Sequence, residues 1–365
     1  HTGDMGTLTA EKVGKSFPAR SYSPYAGRNF PTRPLFGDTH LHTSYSMDAG
    51  AFGARVGPLD AYRLARGEEI TASSGQPVKL SRPLDFLVVA DHSDNMGFFP
   101  DLFAGKPEVL ADPTGKQWYD LIMAGKGAQA ALEIIVAFSQ GNFPKDLMYW
   151  PDTRSYKAAW QSTIDAAEKY NEPGRFTTLI GYEWTSNAGG GDNLHRNVIY
   201  RDGKDKADRV LPYTTFQSVN PEGLWNWMTE WEKTTGGKML AIPHNGNLSN
   251  GRMFEVNTFA GAPLSKAWAD ERQKWEPLFE AIQMKGQSES HPSLSVTDEF
   301  AKNYELWDRG NLVLAPKKPG MIQYEYAREA LKNGLLLERE LGVNPFKFGM
   351  VGSTDAHTAM AAVEE

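Results

Sequence analysis

One recurring unit constrains this chain more than any other feature: a short apolar run of β character that ends in polar, mostly histidine-bearing residues. It occurs as LFGDTHLH over 35–42, as LDFLVVAD over 84–91 running into His92, as FTTLIGYEWT over 176–185, as KMLAIPHNGN over 238–247 and as KFGMVGSTDAH over 347–357. FEAIQMK over 279–285 has the same apolar body. Continuous apolar runs of this length suit strands covered on both faces, as in a parallel sheet. Between them lie segments with helical spacing of apolar residues: 58–69, 127–141, 152–170, 221–236 and 322–342. Strand followed by helix, repeated, predicts an α/β protein with a parallel sheet or barrel. Folds of that kind place their chemistry at the C-terminal ends of the strands.

The spacing between units suggests how the chain is organised. Residues 1–34, rich in Gly, Pro, Ser and Arg, read as an extended arm, and 35–365 as one domain. The block over about 100–175 is long for a single crossover and predicts a helical insertion that roofs the site. Within it, Asp152 is the expected N-cap of the helix over 152–170. SNAGGGDN over 186–193 precedes a strand rather than a helix, so its glycines read as a hairpin turn that brings LHRNVIYR over 194–201 back beside the preceding strand.

The histidines follow the strand ends. Of eight in the chain, His40, His42, His92, His195, His244 and His357 lie at or just past an apolar strand, or on the hairpin beside one. One such residue would read as an ordinary hydrogen-bonded loop histidine. Six collected on one edge predict a shared metal centre. In an extended segment, residues i and i+2 point to the same side, so His40 and His42 can face one ion, and Asp355 and His357 repeat that spacing. Glu183 ends an apolar strand, where a lone carboxylate is costly to bury unless cations bridge across it; the alternative partner is Arg196. Asp91 and Asp94 flank His92 as residues able to orient imidazoles.

Composition narrows the chemistry. The chain has no cysteine, so any metal must be held by His, Asp and Glu, which suits zinc, manganese or iron. The net charge of −7 and scattered Lys and Arg disfavour nucleic acid as a partner. They leave open a small anionic substrate drawn to the metals. No apolar stretch is long enough to span a membrane. The opening HTGDM, without initiator Met, suggests a processed form and a periplasmic or exported location.

GDTHLHTSYSMDAG, VVADHSD, GYEWT, AIPHNGN and GSTDAH, in that order over residues 35–357, resemble the PHP (polymerase and histidinol phosphatase) superfamily. The helical insertion and GDNLHRNVIY are similar to its branch called domain of unknown function 3604. The resemblance implies a distorted (β/α)7 barrel with a two- or three-metal site. Carried onto this sequence, it allots His40, His42, Glu183 and Asp355 to a first ion, Glu183, His195 and His244 to a second, and Asp48, His92 and His357 to a third. It also implies a further barrel helix beyond His357, so the C-terminal end reads as truncated.

The expected activity is hydrolysis, most simply of phosphate esters. A metal-bridging water of lowered pKa would attack phosphorus, and the cations would offset developing charge. Glu183 would bridge, Arg196 would bind the substrate anion, and His291 in GQSESHP would act from the rim as a general acid. Tyr45, Trp184, Asn245, Arg252 and Glu289 are further candidates near the substrate. Two other readings stay open: hydrolysis of amides, lactones or sulfate esters, and a non-catalytic, metal-stabilised domain.

Overall fold

Each strand of the computed structural model alternates between two environments, and that alternation organises the fold. The structure describes residues 33–361 apart from 140, 304–305, 308 and 313–314. All but the last two residues of the expected arm over 1–34 lie outside this range, as does the C-terminal end beyond 361.

The principal strands are β1 (Gly37–Leu41), β2 (Phe86–Val89), β3 (Thr177–Trp184), β4 (Arg196–Tyr200), β5 (Met239–Pro243), β6 (Leu278–Gln283) and β7 (Gly349–Gly352). The first five form one sheet in chain order, curled as half a barrel. β6 lies between β7 and the short strand Gly286–Gln287 in a second, three-stranded sheet. β1, β2 and β3 are parallel, as are β6 and β7. β4 is antiparallel to both β3 and β5, so the expected parallel sheet is in fact mixed. The reason is the tight turn at Gly189–Gly191, which folds the chain straight back as the hairpin reading required, leaving no room for a crossover. The exit of β7 returns to β1: Asp355 N donates to His40 O at 2.8 Å and His42 N to Ala356 O at 3.0 Å.

On the outer face, Leu87, Val89, Ile180, Tyr182, Val198, Tyr200 and Ala241 join the main core with Tyr62, Trp160, Ile164, Trp225 and Trp231 from the helices. The inner face carries a separate apolar cluster. Val88, Ala90, Ile199 and Ile242 pack there with Leu179, Leu240, Leu278 and Val351, drawing on both sheets. Gly181 keeps this layer tight, because a Cβ there would stand 2.6 Å from Val88 Cγ1.

The helices that matter for the site are α1 (Met47–Ala51), α2 (Pro58–Ala65), α3 (Phe98–Phe103), α4 (Pro113–Met123), α5 (Gly127–Ser139), α6 (Arg154–Tyr170), α7 (Pro221–Thr235), α8 (Lys266–Trp275) and α9 (Ala327–Leu341). The block expected over 100–175 is helical, but its last helix does not roof the site. Trp160 and Ile164 of α6 pack on the outer face of the sheet beside Tyr182 and Tyr200. α6 also starts one residue later than expected: Thr153, not Asp152, is its N-cap, accepting from Tyr156 N. The Thr153 hydroxyl donates to Trp150 O at 2.7 Å, which locks it at the helix entrance. The helix expected over 322–342 begins at Ala327, after a separate 3-10 turn at Ile322–Tyr324.

Candidate metal centre

The inner-face alternation carries the candidate ligands upward from the apolar floor. Val88 and Ala90 lead to His92, Leu179 and Gly181 to Glu183, and Leu240 and Ile242 to His244, each two residues apart in extended chain. β4 arrives in the opposite sense, so Ile199 and Asn197 lead to His195 at its N-terminal end. The antiparallel strand thereby delivers a residue to the mouth where its neighbours end. His244 N and His195 O stand 3.4 Å apart across that pair. Two exits turn sharply, with Asn245 at φ 54° and Asp355 at φ 52° in the left-handed region that Asn and Asp tolerate best among non-glycine residues.

The nine expected ligands meet. His40, His42, Glu183, His195, His244 and Asp355 are buried, whereas the side chains of Asp48 and His357 keep 29% and 13% exposure and mark the open rim. Asp355 Oδ1 lies 3.4 Å from His40 Nε2 and 3.0 Å from His42 Nε2, with Glu183 Oε2 at 3.8 and 3.4 Å from the same two nitrogens. Glu183 Oε1 is 2.7 Å from both His195 Nδ1 and His244 Nε2. Asp48 Oδ2 is 2.6 Å from His357 Nε2 and 3.0 Å from His92 Nε2. These contacts link the residues of each set that the resemblance implied, but the sets are not separate: ligand atoms in mutual reach also group His42 with Asp48 and His92, His42 with Asp355 and His357, and His92 with Glu183 and His195. His92 Nδ1 also stands 2.7 Å from Glu183 Oε2, which ties the third set to the others.

The cluster fits divalent cations. Among the described residues, Glu183 Oε2 and Asp355 Oδ1 are buried and make no hydrogen bond, with imidazole nitrogens beside them, and the donor set is all nitrogen and oxygen. Several overlapping trios of His, Glu and Asp offer ligand atoms within 4.8 Å of one another. Charge says the same. Burial opposes ionisation of Glu183, yet His92 and His195 hold its carboxyl well below the usual range. His92 and His357 do so for Asp48, and Lys285 and His40 for Asp355, again against burial. Burial also opposes charging of His40, but Asp355 and Glu280 carry its pKa well above the ordinary value; Asp48 and Glu183 do the same for His92. Burial lowers His42 to about 3, with His357 adding to the effect. It lowers His195 to about 4 in spite of Glu183. Asp48, Glu183 and Asp355 are thus ionised beside imidazoles and Lys285, and divalent ions binding here would take the place of imidazole protons.

Other expected residues lie elsewhere. Arg196 does not face the cluster and cannot serve as its anion-binding group. In extended chain it turns to the side opposite His195, where its Nε donates to Glu276 Oε1 at 3.1 Å, and it pairs neither with Glu183 nor with the rim. Trp184 likewise belongs to the outer core. His291 is buried apart from the ligand trios: its Nδ1 is 2.6 Å from Ser293 Oγ and its ring packs 5.4 Å from Tyr326. Glu289 is paired with Arg328 at 2.6 Å. Tyr45 OH donates to Ser162 Oγ at 3.1 Å, and Arg252 stacks over Phe259 at 4.5 Å. Asp91 accepts from Thr43 N and Oγ1, both at 2.6 Å, and Asp94 from Thr215, so both brace the loops around His92.

Three residues of β6 and its exit enter the site without having been singled out. Lys285 contacts Asp355 Oδ2, and Gln283 Nε2 donates to the same oxygen at 2.6 Å. Glu280 touches His40. A charged residue inside an apolar strand was the signal available for Glu280, the same one that marked Glu183. Lys285 is the cation found at the rim in place of Arg196.

The family described as "Protein of unknown function (DUF3604)" matches residues 29–365. No curated protein matches the chain.

Proposed function

The chain belongs to the DUF3604 family, and on that premise we propose that it is a metal-dependent hydrolase of phosphate esters, built on the plan of the polymerase and histidinol phosphatase superfamily. One observation carries the reading: His40, His42, Asp48, His92, Glu183, His195, His244, Asp355 and His357, scattered along the chain, converge at one rim of the sheet with their ligand atoms in mutual reach. Bound there, divalent ions would supply Lewis acidity and lower the pKa of a water. The protein's own part is positional. Glu183 shares its two oxygens between neighbouring sets and sets their spacing. Asp48 and His357, at the exposed edge, face the side from which a substrate arrives. Lys285, with 27% of its side chain exposed beside Asp355, offers an ammonium to substrate oxygens. An apolar layer that includes Val88, Ala90, Ile199 and Ile242 lies beneath.

Elemental analysis with turnover assays tests this. Purified protein is expected to contain two or three equivalents of zinc, manganese or iron and to hydrolyse an aryl phosphate. Turnover of aryl sulfates, amides or lactones alone would replace the phosphate assignment, and full metal content with no turnover of any ester would sink the enzymatic one. Glu183→Gln is expected to lose at least one ion and most of the activity; retention of both would refute its bridging role.

A further inference from the structure

β6 is the one principal strand with no expected ligand at either end, yet its inner face meets the metal centre. Glu280 follows Leu278 by two residues on that face, while Phe279 between them turns into a different apolar cluster. The Glu280 side chain is 0% exposed. Both of its oxygens lie 3.1 Å from His40 Nδ1. Among the described residues no lysine or arginine pairs with it, so the imidazole is what compensates this buried carboxylate.

The two nitrogens of His40 therefore have different partners. Nδ1 is held by Glu280, and Nε2 points into the cluster, 3.1 Å from His42 Nε2 and 3.4 Å from Asp355 Oδ1. His42 and His357 are arranged alike: Nδ1 of the first is 2.8 Å from Ser46 Oγ, and that of the second is 2.7 Å from Asp355 O. A histidine that ligates through Nε2 must keep its proton on Nδ1, and an acceptor there fixes both tautomer and ring orientation. Of these three holders, only Glu280 is a carboxylate, which also makes the ligating nitrogen more basic.

We propose that Glu280 is a positioning residue of the metal centre, holding His40 by Nδ1 so that Nε2 is presented to an ion. This rests on the metal-dependent reading above but not on any turnover. The competing role is direct ligation, since Glu280, His40 and His244 have ligand atoms within 4.8 Å. Against it, sharing an ion with Glu280 through Nδ1 would leave His40 to hold a second ion through Nε2 with the same ring.

The test is zinc binding to the full chain, measured by chelator competition for affinity and by equilibrium dialysis for stoichiometry. Nitrogen-15 NMR of the imidazoles reads the tautomer. Glu280→Gln, which keeps an acceptor oxygen, is expected to retain the wild-type number of ions with affinity close to wild type. Glu280→Ala is expected to lose roughly 10–100-fold in affinity at unchanged saturation, and its His40 signals should no longer report a Nδ1-protonated ring. Saturation of Glu280→Gln at one ion fewer would make Glu280 a ligand and overturn the proposal, as would wild-type affinity in Glu280→Ala. Should the alanine variant fail to fold, the glutamine stoichiometry and the wild-type His40 tautomer decide. A protein that binds zinc in this way but hydrolyses nothing removes the hydrolase reading alone; wild-type protein that binds no divalent ion removes both.

Discussion

Single positions beneath the centre show how little room the inner face has. A methyl at Gly181 would press on Val88 Cγ1 at 2.6 Å and on Val198 O at 2.9 Å, directly below Glu183. Gly181→Ala is therefore expected to destabilise the protein by about 1–3 kcal/mol, read by urea denaturation, and to weaken zinc binding with it. An unchanged midpoint would mean that the strands can part without penalty. At the entrance of α6, Thr153→Ala removes the cap of Tyr156 N and should lower stability by about 1 kcal/mol, whereas Asp152→Ala should change it far less. Capping chemistry was legible in DTR (152–154), but its register was not. Both residues can cap, and the Trp150 carbonyl that engages the Thr153 hydroxyl decides between them. Arg196 shows the converse. It was expected to bind the substrate anion or to pair with Glu183, whereas alternation along a strand sends it to the face opposite His195. That rule was available from the sequence alone, and it also points Glu280 inward.

Among the elements, strands were more legible than their partners. Apolar runs located six of the seven principal strands, and the glycine-rich hairpin indicated the seventh, β4, turning back on β3. What the runs do not encode is which strand neighbours which, so the division into a five-stranded and a three-stranded sheet came only with the coordinates. The helical insertion was readable as helix, but its last helix was misplaced in space. α6 looks like part of a roof because it lies in a long excess segment, but Trp160, with 1% exposure, anchors it to the outer face between Tyr182 and Tyr200. Trp160→Ala is expected to remove about 3–5 kcal/mol in chemical denaturation. Trp160→Phe should be much milder, because the indole Nε1 has no hydrogen-bond partner to lose. Equal losses in both variants would show that this contact depends on the nitrogen rather than on packing.

For the molecule as a whole, ion binding at the proposed centre would be coupled to folding, because the ligands come from strands spread along the chain. Ions held at a hundred times their dissociation constant stabilise the native state by about 2.7 kcal/mol per site. Exhaustive chelation is accordingly expected to lower the thermal midpoint, and zinc or manganese to restore it. A midpoint indifferent to chelation would mean that the carboxylates and imidazoles satisfy one another unaided. This coupling was foreseeable from the order of the histidine-bearing strand ends. The closure of β7 back onto β1 was not, since it rests on backbone bonds that carry no side-chain signature. The plug formed by Val88, Ile199, Ile242, Leu278 and Val351 has a kinetic corollary. It backs the centre with apolar side chains, while Asp48 and His357 keep the exposed edge, the side by which ions would enter. On the proposed hydrolase reading, loading with metal would precede occupancy by substrate, and a product slow to depart would stall the next cycle and hold the ions behind it.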